Sequence, residues 1–431
     1  MKPGSGNPDP GESGSVQPTD GADAVDQPRV RRTFVPEMIR AVSAGVIETA
    51  LATFAVLIAV TKFDSEPAVK SLLLACPAIG LLGSLAVVPL VVRWRLRVSR
   101  AAAVVSLLSA AGFAIAAIGS ESEVWFVTGM VAGIGVIGMA IPLQTHYLRL
   151  NYPGQRRGRL FSVTILVRAL TAMGVSWGFG VYLDQDLDRY PVLLWTFVAA
   201  ALLSALCYFL VPSSSLRERR NRNRERHRFL ESVHISREDP VFVRLLLAVM
   251  VMGLGVLSAN ALRVDYLVHP AHGMQWSVEK VSLVTGVVPS VMRVVSTFFW
   301  GWLFDHMNFF RLRIIVNVVF LAGILLYFLG SSFALIVLGS ALFGLGRGGG
   351  EILFNLFVTK LAPADHIADY MSTHTFLAGI RLGLAPFIGF FVAVWFDIPT
   401  MTLVSASLIF ASIFLVRGAA RRAGNPEPGR P

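Results

Sequence analysis

Long apolar runs alternate with short polar turns from about residue 38 to residue 417. A helix that crosses a bilayer needs about 20 predominantly apolar residues. Twelve runs reach that length, and we number them spans 1 to 12 in chain order. They lie at about 38–61, 69–92, 101–119, 123–146, 160–183, 191–211, 241–264, 279–304, 312–330, 333–358, 370–396 and 398–417. The pattern predicts an all-α polytopic membrane protein.

A long polar loop divides the twelve spans into two sets of six. We therefore predict an N-terminal six-helix bundle at residues 36–211, a basic loop at 212–240 and a C-terminal six-helix bundle at 241–417. A disordered cytoplasmic tail is predicted at 1–35 and a second cytoplasmic tail at 418–431. Most of the first tail is rich in Pro, Gly, Ser and Asp and lacks an apolar core, which is typical of a disordered segment and not of a signal peptide.

Basic residues lie almost entirely on one side of the predicted membrane. Counted from Arg29 to Arg422, the tails and even-numbered turns hold 26 Lys and Arg residues, whereas the odd-numbered turns hold four. Positively charged loops stay in the cytoplasm, so both termini are predicted to be cytoplasmic in a cell-membrane protein. The same distribution explains the net charge of +11 as attraction to anionic lipid. The Arg-rich central loop has no interleaved aromatic residues, so nucleic acid is not an expected partner.

The turn after span 8 carries a recognisable motif. Gly301-Trp302-Leu303-Phe304-Asp305 is followed by Arg311 and Arg313, and the order of residues resembles the G-x-L-x-D…R loop signature of the major facilitator superfamily. In this interpretation Gly301 lets two helices approach closely, and Asp305 pairs with a nearby arginine. The match is partial, because His306 replaces the usual basic residue.

The resemblance implies a fold and a class of function. The segment Arg95-Leu96-Arg97 after span 2 repeats in Arg311-Leu312-Arg313 after span 8, as expected of two related six-helix halves. Facilitator halves enclose a site near the bilayer midplane, which spans 1, 4, 7 and 10 line. The expected function is secondary transport of a small solute by alternating access, with that solute and the lipid bilayer as partners and a monomer as the working unit.

Six ionisable residues fall inside the spans. An ionisable group at membrane depth is costly, so it usually faces a cavity or a partner. Arg347 and Glu351 are four residues apart on span 10 and can form an ion pair on one helix face. With four arginines and two glutamates, the six residues carry a formal charge of +2, which favours an anionic or carboxylate-bearing substrate. They are Glu48, Arg168, Arg293, Arg347, Glu351 and Arg381.

Two interpretations of these residues stay open. In the first, Arg347, Arg381, Arg168 and the neutral Asn260 bind substrate, while Glu48 and Glu351 carry protons. In the second, the same groups only pair with one another or with backbone carbonyls. Glu48 then has Arg168 or Arg381 as its partner.

Other polar residues have structural or gating interpretations. Arg293 is the weakest substrate candidate and is expected near Asp305 or a carbonyl. Asn260, Arg263 and Asp265, at the outer end of span 7, are a candidate external gate, although an interfacial position is the simpler interpretation.

The sequence offers no enzymatic motif. It contains no G-x-S-x-G, Walker or H-E-x-x-H pattern, and its two cysteines have no metal-ligand spacing. We therefore expect a transporter without a cofactor and not an enzyme. Two other functions stay open: an exporter of amphipathic or neutral compounds, and a transporter-like sensor or scaffold that moves no solute.

Overall fold

The computed structural model describes residues 27–214, 239–272, 274–361 and 367–424. Its secondary structure is helical throughout these ranges, and the prediction of twelve membrane-length helices is confirmed. The predicted disordered segment 1–26, nearly all of the central loop and the end of the second tail lie outside the described residues. The helices are α1 (Gln27–Thr61), α2 (Pro67–Ala75 and Pro77–Arg93), α3 (Val98–Ile118), α4 (Glu123–Asn151), α5 (Gly154–Gln185), α6 (Leu187–Leu210), α7 (Pro240–Val268), α8 (Val278–His306), α9 (Phe309–Leu329), α10 (Phe333–Leu361), α11 (Ile367–Trp395) and α12 (Ile398–Gly424).

Several helices run beyond the apolar part that the sequence pattern identifies. The helix of α2 continues to Arg93, that of α10 to Leu361 and that of α12 to Gly424. Likewise, α1 begins at Gln27, so residues 27–35 are helical, and the prediction of a disordered tail is wrong for them. A helix satisfies its own backbone hydrogen bonds in water as well as in lipid, so it need not end where the apolar run ends.

Each set of six helices packs as one bundle. In the N-terminal bundle α1 packs on α5 and α6, and α3 packs on α4 and α6. In the C-terminal bundle α7 packs on α11 and α12, while α10 packs on α8 and α9. Small residues make the close approaches possible. One example is Gly112 of α3, where a Cβ atom would overlap the backbone of Gly133 in α4.

Gly112→Ala is expected to destabilise the N-terminal bundle. Overpacking a tight contact costs about 1–3 kcal/mol, and here backbone would have to move. Gly174→Ala is the matched control, because a Cβ atom there would meet nothing within 4 Å. Alanine favours a helix by roughly 1 kcal/mol over glycine, so the control should be neutral or slightly stabilising. Thermal unfolding in detergent compares the two, and equal midpoints would contradict this packing.

The two bundles meet along three contacts. Helix α2 runs along α11, α5 runs along α8, and the second half of α1 touches α7 and α8. At the last of these, both α1 and α8 contain one π-helical turn, at Ala50–Phe54 and Leu283–Val287. Thr53 and Thr285, one from each turn, lie 3.2 Å apart and share a hydrogen bond. Such turns often mark functional sites, and these two lie beside a cavity between the bundles.

Candidate functional site

A cavity of about 400 Å³ lies between the bundles. This volume falls within the range of small-molecule sites. Helices α1, α2, α7, α9, α10 and α11 line it, and most of the wall is apolar. The polar side chains in its wall include Glu48, Asn260, Arg313, Arg347, Glu351 and Arg381.

Glu48 is the centre of a charged network that joins the bundles. Its Oε2 accepts a hydrogen bond of 2.7 Å from Arg168 Nε, within the N-terminal bundle. Its Oε1 accepts a bond of 3.0 Å from Arg293 Nη1 across the interface. Arg347 Nη2 lies 3.7 Å from the same Oε1. Glu48 is 11% exposed, so three guanidinium groups converge on one largely buried carboxylate.

Glu351 supplies the second carboxylate of this network. Its Oε1 lies 3.5 Å from Arg347 Nε and 3.4 Å from Arg293 Nη1. The four-residue spacing on α10 therefore does place Arg347 beside Glu351. Three arginines and two glutamates give the network a formal charge of +1. We call Glu48, Arg168, Arg293, Arg347 and Glu351 the Glu48 network.

The partner of Arg293 differs from the sequence expectation. We expected Asp305 or a carbonyl, but the guanidinium instead contacts both glutamates of the Glu48 network. Residues 48 and 293 are 245 positions apart, so no local pattern could reveal the pair. Arg381 was the alternative partner for Glu48, and no ion pair joins them among the described side chains.

A smaller cavity of about 60 Å³ lies next to the first. Glu48, Asn260 and Arg347 line both cavities, while Arg293 and Thr285 line only the smaller one. Asn260 is exposed and can offer both a donor and an acceptor to a ligand. The Glu48 network therefore borders both compartments.

A buried ion pair joins the bundles at the end of the molecule opposite the central loop. Lys70 Nζ of α2 donates a hydrogen bond of 2.6 Å to Asp265 Oδ1 of α7. The two side chains are 6% and 5% exposed. We call the end where α6 finishes and α7 begins the linker side, and the end with this pair the far side. Sequence reasoning singled out Asp265 but not Lys70, although a lysine in the first turn of an apolar span was a usable signal.

Arg263 has a different environment from its neighbour Asp265. Its Nη2 donates to the Ser340 hydroxyl at 2.6 Å and to the Val284 carbonyl at 3.1 Å. The guanidinium lies over the rings of Tyr327 and Phe343, 4.8 and 4.7 Å from their centroids. All of these contacts are within the C-terminal bundle. Arg263 thus fixes the packing of that bundle and makes no contact across the interface among the described residues.

The predicted loop motif is arranged differently from our expectation. A Cβ atom at Gly301 would meet nothing within 4 Å, so this glycine does not permit a close helix approach. Asp305 and Arg311 are exposed, and no ion pair joins Asp305 to Arg311 or Arg313 in the described ranges. Arg313 is only 5% exposed and lines the large cavity. A motif gives the spacing of residues, but not the helix face that turns inward.

Arg313 and Arg381 form a second group of charges in the cavity wall. Arg381 Nη1 donates to the Val249 carbonyl at 2.7 Å, and Arg313 Nη2 lies 3.3 Å from Met252 Sδ. Both contacts are to α7. No carboxylate lies within 4.0 Å of either guanidinium among the side chains that the structure describes.

At the far side, outside the membrane-spanning segments, Lys62 has a displaced pKa. A hydrogen bond of 2.6 Å to the Asp188 carboxylate raises the pKa of Lys62 above its usual value. Both partners belong to the N-terminal bundle and are solvent-exposed or partly so. This pair therefore does not link the bundles.

The fold and the cavity together define a class of protein. Twelve helices in two bundles, with charged groups at their shared cavity, are the architecture of a membrane transporter. Residues 39–386 match the Major Facilitator Superfamily, and the chain belongs to this superfamily. The predicted family and its transporter fold are thus confirmed, and they point to a transporter and not to an enzyme.

Solved structures of transporters share the fold at low sequence identity. The nucleoside transporter NupG is 12% identical with a TM-score of 0.70, and the match covers 91% of this chain and 99% of that one. A D-xylose-proton symporter is 15% identical with a TM-score of 0.62, over 90% and 96% of the chains. A POT family transporter in complex with 5-aminolevulinic acid is 12% identical with a TM-score of 0.65, over 92% and 96%. No curated protein matches the sequence.

Proposed function

We propose that this protein is a secondary active transporter of a small anionic or carboxylate-bearing solute, coupled to protons, in the cell membrane with both termini in the cytoplasm. The observation that carries the proposal is the Glu48 network. It joins α1 and α5 to α8 and α10 at the wall of the cavity. Groups that connect both halves at the site can transmit occupancy to the relative position of the halves.

Substrate and Glu48 compete for the same arginine, and this competition couples transport to protons. Arg347 is more than half exposed and has the longest contact with Glu48, at 3.7 Å, so it is the arginine of the network most available to a substrate. A hydrogen-bond acceptor of the substrate at Arg347 would replace that contact. A proton on Glu48 or Glu351 would likewise weaken the hold of the carboxylates on the arginines. Substrate and protons thus act on the same ion pairs.

The far-side contacts support an inward-facing assignment. Lys70–Asp265 and Thr53–Thr285 close the interface on that side, while the cavity extends to His374, about two turns into α11 from its linker-side end. With a cytoplasmic linker, the cavity opens to the cytoplasm. Alternating access then requires both far-side contacts to separate.

Transport by purified protein in proteoliposomes tests the proposal. Uptake of candidate monocarboxylates is measured with and without an imposed pH gradient. Arg347→Gln is expected to weaken apparent affinity by about tenfold to a hundredfold, because a charge-assisted hydrogen bond is worth ~1.5–3 kcal/mol. Arg347→Lys keeps the charge and should retain part of the affinity. Unchanged affinity and rate in both Arg347→Gln and Arg381→Gln would contradict an anionic substrate.

A second candidate function is export of amphipathic or neutral compounds. The largely apolar cavity wall favours it, since Met252, Phe320, Phe343 and Phe354 all contribute. This function predicts outward flux, broad substrate acceptance and little dependence on Arg347. Counterflow assays with neutral and anionic members of one chemical series separate the two candidates.

A further inference from the structure

We infer that Arg313 and Arg381 form a docking site for one anionic group, and that the solute is a monoanion with an apolar body. This inference rests on the proposed transport function and names the substrate class. It places the anionic group in the wall made by α9 and α11, within the C-terminal bundle. The Glu48 network lies at another part of the same cavity and keeps its own carboxylates.

The first observation is that Arg313 and Arg381 each have a donor atom without a hydrogen-bond partner. Arg313 is 95% buried, given its 5% exposure, yet its Nε has no hydrogen-bond partner. Its Nη2 faces Met252 Sδ at 3.3 Å, and a thioether is a weak acceptor. The Nε of Arg381 is buried and also has no partner. Leaving donors of a charged group unsatisfied is costly, so two guanidinium groups present donors that an oxyanion would satisfy.

The second observation is that the two guanidinium charges lack a counterion among the described side chains. Arg313 and Arg381 line the same cavity, and no carboxylate lies within 4.0 Å of either among the described side chains. The three arginines of the Glu48 network, by contrast, all contact a glutamate. A buried and a partly buried positive charge without a counterion are unfavourable. One bound anion would supply the missing counterion and the missing acceptors.

Packing holds Arg381 in this position. A Cβ atom at Gly253 would overlap the Cδ and Nη1 atoms of Arg381, so the side chain lies directly across this glycine of α7. The bond from Nη1 to the Val249 carbonyl fixes the guanidinium at the next turn of the same helix. The donor atoms are thus held before a ligand arrives, which lowers the entropy cost of binding.

The rest of the cavity defines the other end of the ligand. Phe309, Phe320, Leu353 and Phe354 present apolar surface. At the Glu48 network, two carboxylates would repel a second anionic group. A dianion is therefore disfavoured, and an apolar body attached to one anionic group fits best.

The test uses a matched pair of probes with the same body. Purified protein in phosphatidylcholine nanodiscs is titrated with 4-phenylbutyrate and with its neutral amide, 4-phenylbutyramide. Binding is followed by the shift of the thermal unfolding midpoint and by displacement of radiolabelled acid. The acid is expected to bind at least about tenfold more tightly than the amide, a difference of ~1.4 kcal/mol. Equal binding of the two probes, or no binding of the acid, would overturn the inference.

Substitutions then locate the site. Arg313→Gln and Arg381→Gln should each weaken acid binding by about tenfold or more, since each removes a charged donor. Arg244→Gln is the matched control. Arg244 lies four residues into its helix, as Arg313 does, but does not line the cavity. If both variants bind the acid with unchanged affinity, the inference is overturned. Should one variant fail to fold, acid binding by the other still decides whether this pair holds the anionic group.

The outcomes for site and function are separable. If the acid binds through both arginines but no solute crosses proteoliposome membranes, the docking site stands and the transport function fails. If a solute is transported while both arginine substitutions leave its affinity unchanged, the transport function stands and the docking site fails.

Discussion

Glu48→Gln is expected to abolish transport and to lower the stability of the protein. The carboxylate contacts Arg168, Arg293 and Arg347, and glutamine keeps its size while removing its charge. Three guanidinium groups would then share only Glu351 as a counterion. Removing one member of a buried ion pair costs about 3–5 kcal/mol, because the remaining charge is left uncompensated.

Glu351→Gln is the matched comparison for this prediction. Glu351 belongs to the same network, but its side chain is 48% exposed and its contacts are longer, at 3.4 and 3.5 Å. Solvent screens exposed pairs, so the loss of stability should be clearly smaller. Thermal unfolding in nanodiscs and uptake in proteoliposomes measure both variants. Full uptake and an unchanged unfolding midpoint in Glu48→Gln would show that the network is not the coupling element.

Lys70→Ala is expected to shift the protein toward the state that is open on the far side. The substitution removes the ammonium group from an ion pair that is buried between the bundles. Breaking such a pair costs about 3–5 kcal/mol. This cost destabilises the far-side-closed state, because separation of the bundles returns Asp265 to water. The ratio of the two states should change by at least about a hundredfold.

Two further variants make the Lys70 prediction specific. Lys70→Asp combined with Asp265→Lys should restore the original ratio, because the pair is re-formed with its charges exchanged. Lys62→Ala breaks the exposed pair with Asp188, which lies at the same end but within one bundle, and should leave the ratio unchanged. A shift of equal size in Lys62→Ala would assign the effect to local charge and not to the interface.

Local patterns predicted the elements of the fold, whereas contacts between distant segments required the structure. Apolar run length was enough for the twelve helices, and four-residue spacing was enough for Arg347 and Glu351. The Glu48–Arg293 contact depends on how α1 and α8 pack, which no periodicity encodes. Arg313 shows the same limit, because the motif assigned it to a loop and helix rotation placed it in the cavity wall.

Sequence reasoning missed Lys70 for a related reason. Its position near a turn made an interfacial, topological role the simplest interpretation. Only the packing of α2 along α11 buries its side chain at the interface and brings it to Asp265 of α7. A charge near the end of a span is therefore ambiguous until its neighbours in the other bundle are known.

Side-specific labelling of Asn260→Cys tests the central claim most directly. Asn260 lines both cavities, and the two native cysteines, Cys76 and Cys207, are buried. In oriented vesicles, a membrane-impermeant thiol reagent should label this position from the linker side, and added substrate should increase labelling from the far side. Lys70→Ala should label from the far side without substrate. Labelling from one side only under every condition, including the Lys70→Ala background, would contradict alternating access at this cavity.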